Sequence, residues 1–134
     1  MPEIANFVRH GAAKISQATL KRLLHELPML KLEFTQIHAP LFPHLVDQLT
    51  FLADVVEDFG EGQADEMPFY AVAEAIFALL YGHKRTDLIP DFLPSLGRAD
   101  DSSVVRSVLI MHEAYFQAYA LKHGMDWNQI TSKP

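Results

Sequence analysis

An all-α fold follows from three features of this 134-residue sequence. Large apolar residues recur every three or four positions through several long stretches, which is the period of one helix face. Most prolines and glycines fall between those stretches, where helices start and stop. No run alternates apolar and polar residues, and no Asn-Gly or Asp-Gly pair marks a hairpin. The expected architecture is a compact bundle of four to five helices, with a short proline-rich helical corner at 87–101. The length is typical of one domain, so residues 1–134 read as a single helical domain.

A short helix is expected from Ile4 to His10, with Gly11 as its stop. The next runs from about Ile15 to Phe34. Ser16 can cap it, and Leu20, Leu23, Leu24 and Leu27 form its apolar stripe. Pro28 either kinks this helix or divides it. After the break at Ala39-Pro40-Leu41-Phe42-Pro43, Pro43 suits the first turn of a further helix. There Leu45, Leu49, Leu52, Val56 and Phe59 share a face, and Asp47, Gln48, Asp54, Glu57 and Asp58 fall largely on the other, up to Gly60 and Gly62. Pro68 then opens a helix in which Phe69, Val72, Ala73, Ile76, Phe77 and Leu80 make one stripe, while Ala71, Ala75, Ala78 and Leu79 leave almost no polar side. A helix apolar all round belongs in the middle of a bundle. The last long helix is expected from about Ser102 to His123, stopped by Gly124, with Val105, Val108, Leu109, His112, Phe116 and Tyr119 inward. The tail from Thr131 to Pro134 reads as frayed.

Composition bounds the function. With no cysteine, a disulfide scaffold, a thiolate zinc site and a cysteine nucleophile are excluded, and a reducing compartment fits. The N-terminus shows no signal peptide. The most apolar stretch, Met67 to Tyr81, is 15 residues long and contains Glu74; a spanning helix needs about 20, so no transmembrane segment is expected. The net charge of −6 is unevenly placed. Residues 41–80 carry eight Asp/Glu and no Lys/Arg, whereas residues 1–40 carry five Lys/Arg and three Asp/Glu. An acidic middle argues against nucleic acid, which needs a basic face. Weak membrane-surface contact is left to the N-terminal helix, where Lys14, Lys21, Arg22 and Lys31 flank leucines.

Between the last two long helices stands Thr86-Asp87-Leu88-Ile89-Pro90-Asp91-Phe92-Leu93-Pro94-Ser95-Leu96-Gly97-Arg98-Ala99-Asp100-Asp101. Asp87 can cap a short turn starting at Leu88, Pro94 and Gly97 can close it, and Asp100 or Asp101 can cap the final helix. The order Asp87-Leu88-Ile89-Pro90-Asp91-Phe92-Leu93-Pro94, then Gly97, then Asp100-Asp101, after an apolar helix ending Phe77 to Tyr81, resembles the YkvA-like family of small helical proteins. The resemblance covers roughly residues 68 to 110. It departs at Arg85 or Thr86, where the family carries a proline, and at Gly82-His83-Lys84-Arg85, where the family is apolar and many members look membrane-associated. It implies a helical fold and a domain of unknown function, and it implies no reaction.

The candidate polar motif is Asp87, Asp91, Asp100, Asp101 and His112. Asp87 and Asp91 stand four apart, which puts both carboxylates on one helical face, and Asp101 could join them around a divalent cation. Asp54 and Asp58 repeat the spacing. The plainer reading makes the aspartates caps and turn formers. His112 is a general base or ligand in the sharper reading, and in the plainer one a core imidazole bonded to a carboxylate such as Asp87 or Asp91. The other histidines read as surface residues. No zincin, di-iron, phosphate-loop or nucleophile-elbow motif occurs, so no catalytic residue is assigned.

The leading expectation is a non-enzymatic interaction or regulatory module of the bacterial cytoplasm, acting through a homo-oligomer or a protein partner. The alternatives are a divalent-metal-dependent, hydrolase-like enzyme using Asp87, Asp91, Asp100 and Asp101, and a peripheral membrane-associated protein.

Overall fold

A computed structural model describes the backbone over residues 2–88 and 94–134, and the side chains over 3–83 and 101–134. Seven helices lie within the described residues, α1 (Pro2–Ala12), α2 (Gln17–Thr35), α3 (Leu45–Gly60), α4 (Phe69–Leu88), α5 (Pro94–Met111), α6 (Glu113–Lys122) and α7 (Trp127–Ile130). No strand occurs among those residues. The all-α expectation holds, and the count exceeds four to five because the last long helix is broken and the C-terminus adds a short turn.

Local chemistry sets the helix ends. At the start of α2 the Thr19 amide donates to Ser16 Oγ at 3.3 Å, and the Ser16 amide donates to Thr19 Oγ1 at 3.3 Å. Each side chain thus satisfies an amide that has no partner within the helix. Helix α2 runs through Pro28 undivided. Proline there withholds one amide from the ladder, and Leu20, Leu23, Leu27, Leu30 and Phe34 hold the helix down by burial on both sides of it. Ahead of α4, the Pro68 carbonyl accepts from the amides of Ala71 and Val72 at 3.1 and 3.2 Å. Proline stands where its missing N–H costs nothing.

Helix α4 is the centre. It packs on α1, α2, α3 and α5. Ala71, Val72, Ala75, Ile76, Ala78 and Leu79 are buried, so faces that would meet water on a surface helix meet neighbours instead. The buried residues of all the long helices form one continuous cluster. Helix α4 continues to Leu88, well past the expected end at Leu80. No described helix is long and apolar enough to cross a membrane.

Four expectations are corrected. Helix α1 does not stop at Gly11, which lies inside it. The reason is contact: a Cβ on Gly11 would run into the Phe77 ring of α4. The helix expected over 102–123 is two, because His112 leaves helical geometry at φ −124°, ψ 33°. Gln48, assigned to the wet side of α3, is fully buried; its Nε2 donates to the carbonyls of Thr131 and Lys133 at 2.9 and 2.8 Å. Those bonds tie down the tail that reads as frayed, and His44 Nδ1 adds a contact to the Gln129 carbonyl at 3.0 Å.

Glycine inside a helix costs about 0.5–1 kcal/mol relative to alanine, so the two helical glycines against α4 and within it should answer in opposite directions. Gly82→Ala, whose Cβ would meet only Leu49 at 3.7 Å, should stabilise the chain by about 0.5 kcal/mol in urea unfolding. Gly11→Ala should destabilise it by about 1–3 kcal/mol. Equal gains from both would mean that α1 does not touch Phe77.

Candidate functional site

The five residues of the expected polar motif are not a closed set in the structure. Asp87 lies in the last turn of α4, Asp100 and Asp101 within α5, and His112 at the α5–α6 break. The capping roles are therefore corrected. Helix α5 begins at Pro94, a residue suited to a first turn, and this puts Asp100 and Asp101 inside the helix rather than at its start. Asp87 lies in the last turn of α4, and the short turn expected after it falls on residues 89–93, outside the described residues. The side chains of Asp87 and Asp100, and Asp91 altogether, lie outside the described residues. Asp101 is buried and is engaged within the fold. Among the described residues no three His, Asp or Glu side chains converge to hold a metal ion. The Asp54–Asp58 pair is split: Asp54 meets Lys31 at 2.8 Å, and Asp58 accepts from the Tyr119 hydroxyl.

His112 finds a carboxylate, though not the one expected. Its Nε2 lies 3.0 Å from Oε1 of Glu74 on α4; Glu74 is buried, and the His112 side chain is largely shielded. The approach is bent away from good hydrogen-bond geometry, and neither atom has a hydrogen bond elsewhere. The Tyr70 ring packs against the imidazole at 5.4 Å, and the Tyr70 hydroxyl donates to that of Tyr115 at 3.2 Å on the surface side. A buried carboxylate needs a cation or donor beside it. The His112 imidazole, at the α5–α6 break, stands beside it, and beyond the break Phe116 and Tyr119 of α6 pack on Phe51 of α3. The sequence carried one signal for this contact, the single acid in the apolar run of α4.

A second polar group joins α3 to α6. Tyr119 is fully buried and gives its hydroxyl proton to Asp58 Oδ2. Burial first, and then the bond to Asp58, push its phenol pKa far above the ordinary value. His123 stacks on Tyr119 at 4.2 Å, with Nδ1 3.9 Å from the same carboxylate. Lys31 of α2 bridges Asp54 and Glu57 of α3 at 2.8 and 3.2 Å. Burial opposes its charge, and the two carboxylates outweigh that and raise its pKa. Lys31 thus ties α2 to α3 through a partly exposed ion-pair group. Of the histidines expected on the surface, His44, His83 and His123 each have a partner, His83 meeting Glu33 at 2.9 Å.

Beside this group a cleft of about 430 Å³ opens between α3 and the C-terminal arm. Phe51, Met125 and Ile130 give it apolar walls, and Asp47, Asp54 and Asp126 give it carboxylates. Asp126 caps α7, accepting from the Asn128 amide at 3.0 Å. No sequence motif marks this cleft, because its residues come from positions 47–54 and 124–130. The only hint was the acidic middle of the chain.

Two measurements check these contacts. In urea unfolding, His112→Ala should cost about 3–5 kcal/mol, because Glu74 is left buried without its imidazole neighbour, and Glu74→Leu combined with His112→Leu should recover much of that. Additive losses would mean that the two groups do not interact. For Tyr119 the folded pKa is raised, so the unfolded phenol ionises first. Stability should be complete below pH ~10 and fall as pH rises further. Tyr119→Phe should flatten that alkaline decline, and an unchanged slope would contradict the burial.

No curated protein and no solved structure matches the chain. One family model does, over residues 71–105, from the first turn of α4 to the middle of α5. The match falls inside the 68–110 span of the YkvA-like resemblance and is consistent with it. This stretch of the chain is therefore similar to the family described as a protein of unknown function (DUF1232).

Proposed function

We propose that this chain is a small non-enzymatic interaction module that takes a cationic, partly apolar segment of a protein partner into the cleft between α3 and the C-terminal arm. The observation that carries the reading is the combination in one cleft of apolar walls, Phe51, Met125 and Ile130, with the carboxylates of Asp47, Asp54 and Asp126. Apolar area supplies attraction without direction, and the carboxylates select lysine- or arginine-bearing segments and repel phosphate. Lys31 shows the mode of contact within the chain, with one ammonium shared between two carboxylates of α3. The reading keeps the module in a reducing compartment such as the cytoplasm, with which a cysteine-free chain is compatible.

Trp127 is the only tryptophan and packs edge-on against Phe51 at 5.7 Å, so its emission reports on the cleft. Titration with a Lys/Leu amphipathic peptide should shift that emission saturably. Asp47→Lys should weaken binding roughly five- to tenfold, about 1 kcal/mol for one exposed charge contact. Equal binding of a Glu/Leu peptide, or no emission change with either peptide, would overturn the proposal.

A further inference from the structure

The C-terminal arm that walls this cleft is held in an unusual way. Its backbone carbonyls, rather than its side chains, make the polar contacts to α3. Gln48 Nε2 takes those of Thr131 and Lys133, and His44 takes that of Gln129. Ile130 is buried, and Trp127 leans on Phe51. Two features oppose this hold. Thr131 sits at φ 52°, ψ 164°, a backbone region that glycine alone adopts readily, and a β-branched residue there is strained. Gln48 is fully buried, and its Oε1 has no hydrogen-bond partner, a deficit that water would repair on opening. A segment docked by a clamp that reads only backbone, across a strained residue, is built to let go.

We infer that residues 125–133 form a releasable strap over α3. Met125, Asp126, Gln129 and Ile130 of the strap wall the cleft, so release takes the cleft apart and uncovers Phe51, Gln48 and His44 together. A segment bound in the cleft therefore holds the strap down. That linkage rests on the docking reading above. The releasable strap does not.

The test is limited chymotrypsin digestion of the full chain, following cleavage after Trp127 with and without the Lys/Leu peptide. Thr131→Gly relieves the strain and should slow that cleavage several-fold. Gln48→Leu keeps the volume, removes the clamp, and should speed it about tenfold while the far-ultraviolet dichroism stays helical. If Thr131→Gly leaves the rate unchanged or raises it, the strap is not strained shut and the inference falls, whether or not Gln48→Leu folds. The peptide separates the two readings. Bound peptide should slow cleavage after Trp127; peptide that binds without slowing it removes the linkage and leaves the docking. Slower cleavage in Thr131→Gly with no peptide binding leaves the strap and removes the docking.

Discussion

Helix α4 has no side to give to water between Ala71 and Leu79, and the rest of the structure answers that constraint. A helix apolar all round is stable only when neighbours cover it, and α1, α2, α3 and α5 all pack on it. Small residues set how closely they come. The alanines of α4 let helix backbones approach, and on α1 the missing side chain of Gly11 leaves room for the Phe77 ring. Phe7 of the same helix then closes edge-on over Phe77 and Tyr81 at 5.4 and 5.8 Å.

The polar contacts follow from the same constraint. Glu74 is the one acid carried into the buried length of α4, and the α5–α6 break brings His112 to it. Beyond that break α6 places Tyr119 over Asp58 and Phe116 over Phe51. Helix α6 in turn delivers the C-terminal arm to α3, where Gln48 receives it. The cleft proposed for a partner is the gap left between that arm and α3. It is a by-product of covering the core, with the charge of the acidic middle of the chain at its mouth.

The helical fold was legible because periodicity reports burial directly. Leu20, Leu23 and Leu27, or Leu45, Leu49 and Leu52, face inward as their spacing says. So was the start of α2, since Ser16 and Thr19 form a cap from adjacent sequence. What spacing could not give was any contact across the fold. Gln48 looks like a surface residue in its own helix, and only a tail 83 positions away makes it a buried clamp. The break at His112 carries no proline or glycine to announce it, and the carboxylate beside it lies on another helix. Gly11 looked like a stop and is a packing site. The aspartates of the 87–101 segment suggested caps, yet Pro94 fixes the helix start and leaves Asp100 and Asp101 inside α5. The match to a family of unknown function spans 71–105, the central helix and its successor, while the proposed docking residues lie elsewhere in the chain.

The central claim is that α4 is the last element to lose its structure, because every other long helix leans on it. Native-state hydrogen exchange resolved by residue measures this directly. The amides of Val72 to Leu79 should exchange only through global unfolding, with the full dependence on denaturant, while those at the outer faces of α1 and α6 open locally at lower free energy. Exchange of the α4 amides ahead of those of α2 and α5 would contradict the account.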